Sequence, residues 1–163
     1  MFFNSSTIDH LVEDHDKIRE HMDVLLDQKQ DDGSKKLAFV KMLPMLISHS
    51  HREEKVVYSY MAKQSEELKR LAIEGDEEHA ILDGLVEELQ DYTLPDDEWI
   101  AKSKVFADLL CHHFDLEERE VFPKLKKVLN DEADEQLCFE YDGRRSYERP
   151  TYQSSLFYTL LSF

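Results

Sequence analysis

Four stretches of the chain place apolar residues at alternating steps of three and four, the spacing that lines one face of an α-helix. The first seam is Ile8, Leu11, His15, Ile18, Met22 and Leu25. It predicts a helix over 7–30, capped by Ser6 or Thr7, with Asp9 in the first turn. The second is Phe39, Met42, Leu46, His49, Glu53, Val56 and Tyr60, predicting a helix over 34–61. Pro44 lies inside it and predicts a kink about one turn before His49. The third, behind a Ser65 cap, is Leu68, Ala72, Gly75, His79, Leu82, Val86 and Leu89, and predicts a helix to Tyr92. Gly75 lies one turn before His79 on the same face, which suits a close approach by a neighbouring element. The fourth seam is Trp99, Phe106, Leu110, His113, Glu117 and Val121, opening behind Leu94-Pro95-Asp96. Pro123 kinks or ends this helix, and any continuation stops near Asn130. Asp31-Asp32-Gly33-Ser34 is the break between the first two.

Seams of this kind bury themselves by facing one another. The expected fold is all-α, an antiparallel up-down-up-down four-helix bundle over residues 1–130. Residues 131–163 form a short C-terminal extension: an acidic helix over 131–140, then an irregular, mildly basic tail from Tyr141. The apolar close, Leu156 to Phe163, is expected to pack on the bundle or on a second copy, making a homodimer through this extension.

Each seam is apolar except where it meets histidine or glutamate. His49 and Glu53 recur 64 residues later as His113 and Glu117, and Asp14-His15 recurs at the same shift as Glu78-His79. One internal repeat therefore relates four histidines and two glutamates. A single histidine on an apolar seam is ordinarily a hydrogen-bonded core residue. Six residues obeying one repeat need another explanation. In a bundle they face one interior region, where unpaired carboxylates would take up protons unless cations compensated them. Imidazole and carboxylate without cysteine suit iron, manganese or zinc. Six donors are too many for one tetrahedral zinc. Two metals, with two histidines each and two shared glutamates, fit the internal two-fold and leave open positions; open coordination and redox chemistry favour iron.

The neighbouring residues read differently. Glu54 and Glu118 point about 100° away from the ligand face and are expected in an outer layer or on the surface. Asp14 and Glu78 can orient imidazoles, and a solvated face suits them equally. His112 adjoins His113 but lacks the repeat. His10, His21 and His51 fall off the seams and read as surface histidines. Tyr60 is expected in the core, with a redox-active role left open.

The formal net charge of −16 argues against nucleic acid and anionic membrane surfaces and favours cations. Four Gly, four Pro and a charged fraction of 34% fit long helices. Cys111 and Cys138 show no metal or redox spacing, which predicts free thiols in a reducing cytosol. No signal peptide is expected at Met1–Thr7, and no apolar run approaches the roughly 18 residues of a membrane span.

The ordered motifs resemble the hemerythrin-like, or HHE cation-binding, family over about residues 5–130. They are a histidine in helix one, His-x-x-x-Glu in helix two, Glu-His in helix three, and His-x-x-x-Glu-Glu with Phe-Pro in helix four. The resemblance implies a non-heme di-iron centre, oxo- or hydroxo-bridged, with carboxylates spanning the irons, and manganese or zinc as substitutes. His15, His49, Glu53, His79, His113 and Glu117 match its ligand positions. Oxygen-carrying members have a further helix-three histidine where this chain has Asp83. Their helix-four carboxylate falls five residues after its histidine, at Glu118 rather than Glu117.

The expected function is that of a cytoplasmic protein binding dioxygen, or sensing oxygen or iron, with a small diatomic or peroxide ligand. An enzyme acting on hydrogen peroxide or nitric oxide is the alternative. Iron storage or buffering is a third class, and a metal-free interaction bundle a fourth.

Overall fold

The computed structural model describes residues 5–147, with side chains through 143. The expected packing of Leu156–Phe163, and any dimer through it, lies outside the described residues. So do the rest of the basic tail, 148–163, and residues 1–4.

The described residues are helical apart from short connections. Helix α1 spans Thr7–Leu26 behind a capping box in which Ser6 and Asp9 satisfy each other's backbone amides. It ends before Gln30 because the Asp27 carboxylate accepts the Lys29 amide at 2.9 Å, and this local bond competes with another helical turn. Helix α2, Asp32–Arg52, starts two residues early behind an Asp31 cap and runs unbroken through Pro44. Its departure from α geometry comes later, in a π-helical segment, Glu53–Tyr58, that passes into the short α3, Ser59–Met61. Helix α4, Glu66–Leu89, is capped by Ser65. It stops short of Tyr92 because Asp91 folds back onto the Thr93 amide and hydroxyl at 3.0 and 2.6 Å. Helix α5, Asp96–Leu116, passes through a second π-helical segment, Glu117–Val121, into α6, Phe122–Lys126. Pro123 sits near the α6 start, where its missing amide costs least. Helix α7, Asp131–Tyr147, continues past the expected end at Glu140, so Tyr141–Tyr147 is helical rather than irregular.

The packing partners close a ring: α1 on α2, the π segment after α2 on α4, α4 on α5, and α5 back on α1. Helix α7 lies across α1, α2 and that first π segment. The interior holds two apolar clusters. One gathers Ile18, Met22, Leu25, Phe39, Met42, Leu46, Leu82, Val86, Leu89, Trp99, Phe106, Leu110 and Phe114. The fully buried Trp99 indole closes it, donating to the Leu89 carbonyl at 2.8 Å and satisfying a helix-end acceptor. The other gathers Leu11, Val56, Val57, Tyr58, Met61, Leu68, Ala72, Val121, Phe122, Leu125, Leu137 and Tyr141. Each long helix changes cluster where it meets its histidine: Leu11 to Ile18, Leu46 to Val56, Ala72 to Leu82, and Leu110 to Val121. The six repeated residues therefore form a polar layer between two hydrocarbon floors. The repeat also extends into the first floor, pairing Ile18 with Leu82, Met22 with Val86, Leu25 with Leu89, Met42 with Phe106 and Leu46 with Leu110.

Candidate metal centre

His15, His49, Glu53, His79, His113 and Glu117 are all buried, none more than 3% exposed. The structure brings all six together. His15 Nε2 faces His49 Nε2 at 3.2 Å, and His79 Nε2 faces His113 Nε2 at 3.0 Å. Each carboxylate then reaches across both pairs. Glu53 Oε2 lies 3.4 Å from His49 Nε2 and 3.7 Å from His79 Nε2. Glu117 Oε2 lies 3.3 Å from His15 Nε2 and 3.5 Å from His113 Nε2.

The outer ring nitrogens explain why the inner ones are bare. His15 Nδ1 bonds Glu118 at 2.8 Å, His79 Nδ1 bonds Glu54 at 2.9 Å, and His113 Nδ1 bonds Glu78 at 2.6 Å. A carboxylate acceptor there holds the proton on Nδ1 and turns the Nε2 lone pair inward. His49 differs. Its Nδ1 meets the Tyr141 hydroxyl at 3.1 Å, and that hydroxyl donates to Asp14 Oδ2 at 3.0 Å. A phenol has one proton, so Tyr141, having given it to Asp14, accepts from His49 Nδ1–H. All four Nε2 atoms thus offer lone pairs to one another across about 3 Å. Hydrogen bonding among the six leaves both Glu53 oxygens and Glu117 Oε2 without a partner.

Lone pairs facing lone pairs, beside orphaned buried carboxylate oxygens, are repulsive unless positive charge lies among them. Without a cation, protons supply it. Burial opposes charge on His15, but Glu117 and Glu118 overcome it and raise its pKa to about 9. Burial and the adjacent His15 hold His49 well below the usual imidazole value. Burial and the neighbouring Glu117 push Glu53 up to about 8. Burial also acts against Glu117, but His113 and His15 outweigh it and hold its carboxyl low. A cation fits the same place better. Two imidazole nitrogens bound to one ion at about 2.1 Å stand roughly 3.0 to 3.4 Å apart, as both facing pairs do. Two donor groups emerge, His15, His49, Glu53 and Glu117, and Glu53, His79 and His113. Glu53 belongs to both.

The two π segments begin at Glu53 and Glu117. A π turn brings residues five apart onto one face and often marks a functional site. Tyr58, five residues after Glu53, is therefore buried and donates to Glu117 Oε1 at 2.7 Å, while Tyr60 turns half out. The expectation of Tyr60 in the core is corrected for that reason. Gly75 makes room for the phenol: a Cβ there would lie 2.3 Å from the Tyr58 hydroxyl.

Among the neighbouring residues some expectations change and others hold. Asp14 is buried, bound by Arg52 at 2.7 Å as well as by Tyr141, rather than solvated. Asp83 is exposed, and Glu118 is spent on His15 and Arg19 at 2.8 and 2.6 Å, so neither joins the inner six. His112 is exposed, as the repeat implied. His10 is no free surface histidine; it bonds Asp142 at 2.9 Å. Tyr58, Arg52 and Tyr141 were not singled out for the site. The repeat offered one signal, since Tyr58 occupies the position of Phe122.

Among the described residues no helix is long and apolar enough to cross a membrane. The family model for the hemerythrin HHE cation binding domain matches residues 6–125. Comparison with curated proteins and with solved structures found no match.

Proposed function

The chain belongs to the hemerythrin HHE cation-binding family, and from that premise we propose that it is a non-heme di-iron protein that binds dioxygen. The same binding event serves an oxygen or iron sensor. The observation that carries this reading is the convergence of four inward Nε2 atoms on the buried Glu53 carboxylate and Glu117 Oε2, three carboxylate oxygens without a hydrogen-bond partner. His15 and His49 would hold one ion and His79 and His113 the other, with Glu53 and Glu117 serving both. The direction changes of the four long helices between the two apolar clusters support an antiparallel up-down-up-down bundle around that centre. Two irons supply reversible electron exchange with a small oxidant. Manganese or zinc would satisfy the same donors.

The chain's own residues prepare that chemistry. Glu118, Glu54, Glu78 and Tyr141 hold the four imidazoles in one tautomer. Phe114 stacks on His15 with ring centres 3.9 Å apart, and with Phe122 on the same ring it screens that corner from water. The Tyr58 hydroxyl keeps its proton and donates it in a hydrogen bond to Glu117 Oε1. That phenol favours a second reading, an enzyme acting on hydrogen peroxide or nitric oxide, because a buried phenol beside the centre can deliver a proton. A visible band that appears in air and reverses on removing oxygen supports the binder. Rapid oxygen evolution from peroxide supports the enzyme.

Metal analysis tests the centre itself. About two irons per chain are expected, and His49→Ala and Glu53→Ala should each lower iron content. Unchanged metal stoichiometry in both variants would overturn the assignment.

A further inference from the structure

A second group of donors lies on the outer side of α1. His10, Cys138 and Asp142 each offer one donor atom, and the three atoms lie within 4.8 Å of one another. Cys138 and Asp142 are one turn apart on α7 and share a face, while His10 comes from α1. His10 Nδ1 is 2.9 Å from Asp142 Oδ1 and 3.8 Å from Cys138 Sγ. Tetrahedral coordination at ordinary zinc bond lengths puts sulfur and nitrogen about 3.6 Å apart, and nitrogen and oxygen about 3.4 Å apart. Shifts of about half an ångström bring both of these pairs to that spacing, and the donor atoms of Cys138 and Asp142, within 4.8 Å, sit on half-exposed side chains able to close the third.

We propose that His10, Cys138 and Asp142 form a second cation site, which takes one borderline-soft divalent ion of the zinc class and clamps α7 onto α1. The donor set is thiolate, imidazole and carboxylate, so its preference differs from that of the thiolate-free centre in the core. Three protein ligands leave a fourth position for water. The surroundings concentrate cations. The site opens on a groove of about 1250 Å³ whose described walls include Asp131, Glu132, Asp134 and Glu135 and, among the described residues, no lysine or arginine. Burial, Asp142, Asp134 and Asp9 hold the Cys138 proton on sulfur. A bound cation replaces that proton, which leaves to solvent, and no electron is transferred.

The plainer account is that Asp142 ties α7 to His10 while the thiol rests on the Ser5 carbonyl, 3.6 Å away. That account gives Cys138 no part in binding an ion. The proposal gives it one, and adds a consequence: Tyr141, next to Asp142, reaches His49, so an ion at the outer site steadies the helix that touches the inner one.

The proposal does not depend on which metal fills the core centre. The full chain, iron-loaded, is titrated with Co²⁺ as a spectroscopic probe. One further metal per chain is expected, with a thiolate-to-cobalt charge-transfer band in the near ultraviolet that Zn²⁺ removes. Cobalt entering the His/Glu core gives no such band. Cys138→Ser should abolish the band, Cys111→Ser should keep it, and Asp142→Asn should weaken binding at least about tenfold. Should Cys138→Ser fail to fold, Asp142→Asn, at a side chain 42% exposed, carries the test. Absence of the band, its survival in Cys138→Ser, or unaltered affinity in Asp142→Asn would overturn the site.

Discussion

The first half of the bundle, α1 to α3, and the second, α4 to α6, repeat one another in the inner six residues and diverge around them. The facing imidazoles meet at the same ring separation, 4.7 Å, in both halves. His15 stacks near Phe122 at 5.7 Å, as His79 stacks near Tyr58 at 5.6 Å. His15 leans on Glu118 just as His79 leans on Glu54. The remaining corner breaks the pattern. His113 bonds Glu78 directly, whereas Asp14, the counterpart of Glu78, stands 4.0 Å from His49 Nδ1. Tyr141 fills the gap and Arg52 neutralises the displaced carboxylate, its guanidinium 4.1 Å over the Tyr141 ring. The second half has Leu116 at the place of Arg52, and there Glu78 takes His113 Nδ1 with no phenol between them. Likewise Glu117 receives a proton donor from Tyr58, while Phe122 can give Glu53 none. The lesson is that inward donors answer to one shared polar centre, and so repeat. Outer partners answer to whatever packs behind them, and so differ.

The largest expected effect draws on both halves at once. In chelated protein, Glu53 is raised from 4.5 to about 8 and His15 from 6.5 to about 9. His113 is raised as well. Groups that bind protons more tightly when folded contribute stability at low pH and lose it as pH rises through their folded values. His49, shifted the other way, stays neutral when folded and finishes titrating in the unfolded chain about one pH unit above 6.5, so it offsets only the start of the fall. The depressed carboxyls of Glu78 and Glu118 act only below 4.5. Thermal unfolding of the chelated protein should therefore fall steadily between pH 6.5 and 9, while the metal-loaded form changes little. A chelated form that is more stable at pH 9 would contradict the proton-for-cation picture.

Arg52→Leu copies the second half onto the first. It strands the buried Asp14 carboxylate and should cost about 3–5 kcal/mol in denaturant unfolding. A cost near zero would mean that Tyr141 alone suffices for Asp14. Smaller effects separate the outer ties. Glu78→Gln should weaken metal binding about ten- to a hundredfold in chelator competition, because it removes a charged acceptor from His113. Tyr141→Phe removes a neutral bond from His49, worth roughly 1 kcal/mol, and should weaken binding several-fold. The reverse order would make the asymmetric corner the dominant one.

Much of this architecture was legible in the chain because burial imposes a period. The seam of α4 is the clearest case: Leu68, Ala72, Gly75, His79, Leu82, Val86 and Leu89 are its buried residues. The inner six were legible for the same reason, strengthened by the repeat. The π segments were not, since one extra residue in a turn leaves no mark in a pattern of threes and fours. That single shift is why Tyr58, not Tyr60, reaches Glu117. Helix ends moved where short acidic side chains preferred local amides, at Asp27 and Asp91. Tyr141 escaped notice because its partners, His49 and Asp14, lie 92 and 127 residues away. Contacts of that reach belong to the folded molecule alone.

Tyr141 has a last implication for where this protein may be trimmed. The region shared with the family stops at residue 125, yet one wall of the chamber is built sixteen residues further on. A fragment cut at that boundary would keep every inward donor and still open the His49 corner to water, taking the Tyr141 hydroxyl away from both His49 and Asp14. Whatever such a shortened piece binds or catalyses would be measured on a breached vessel.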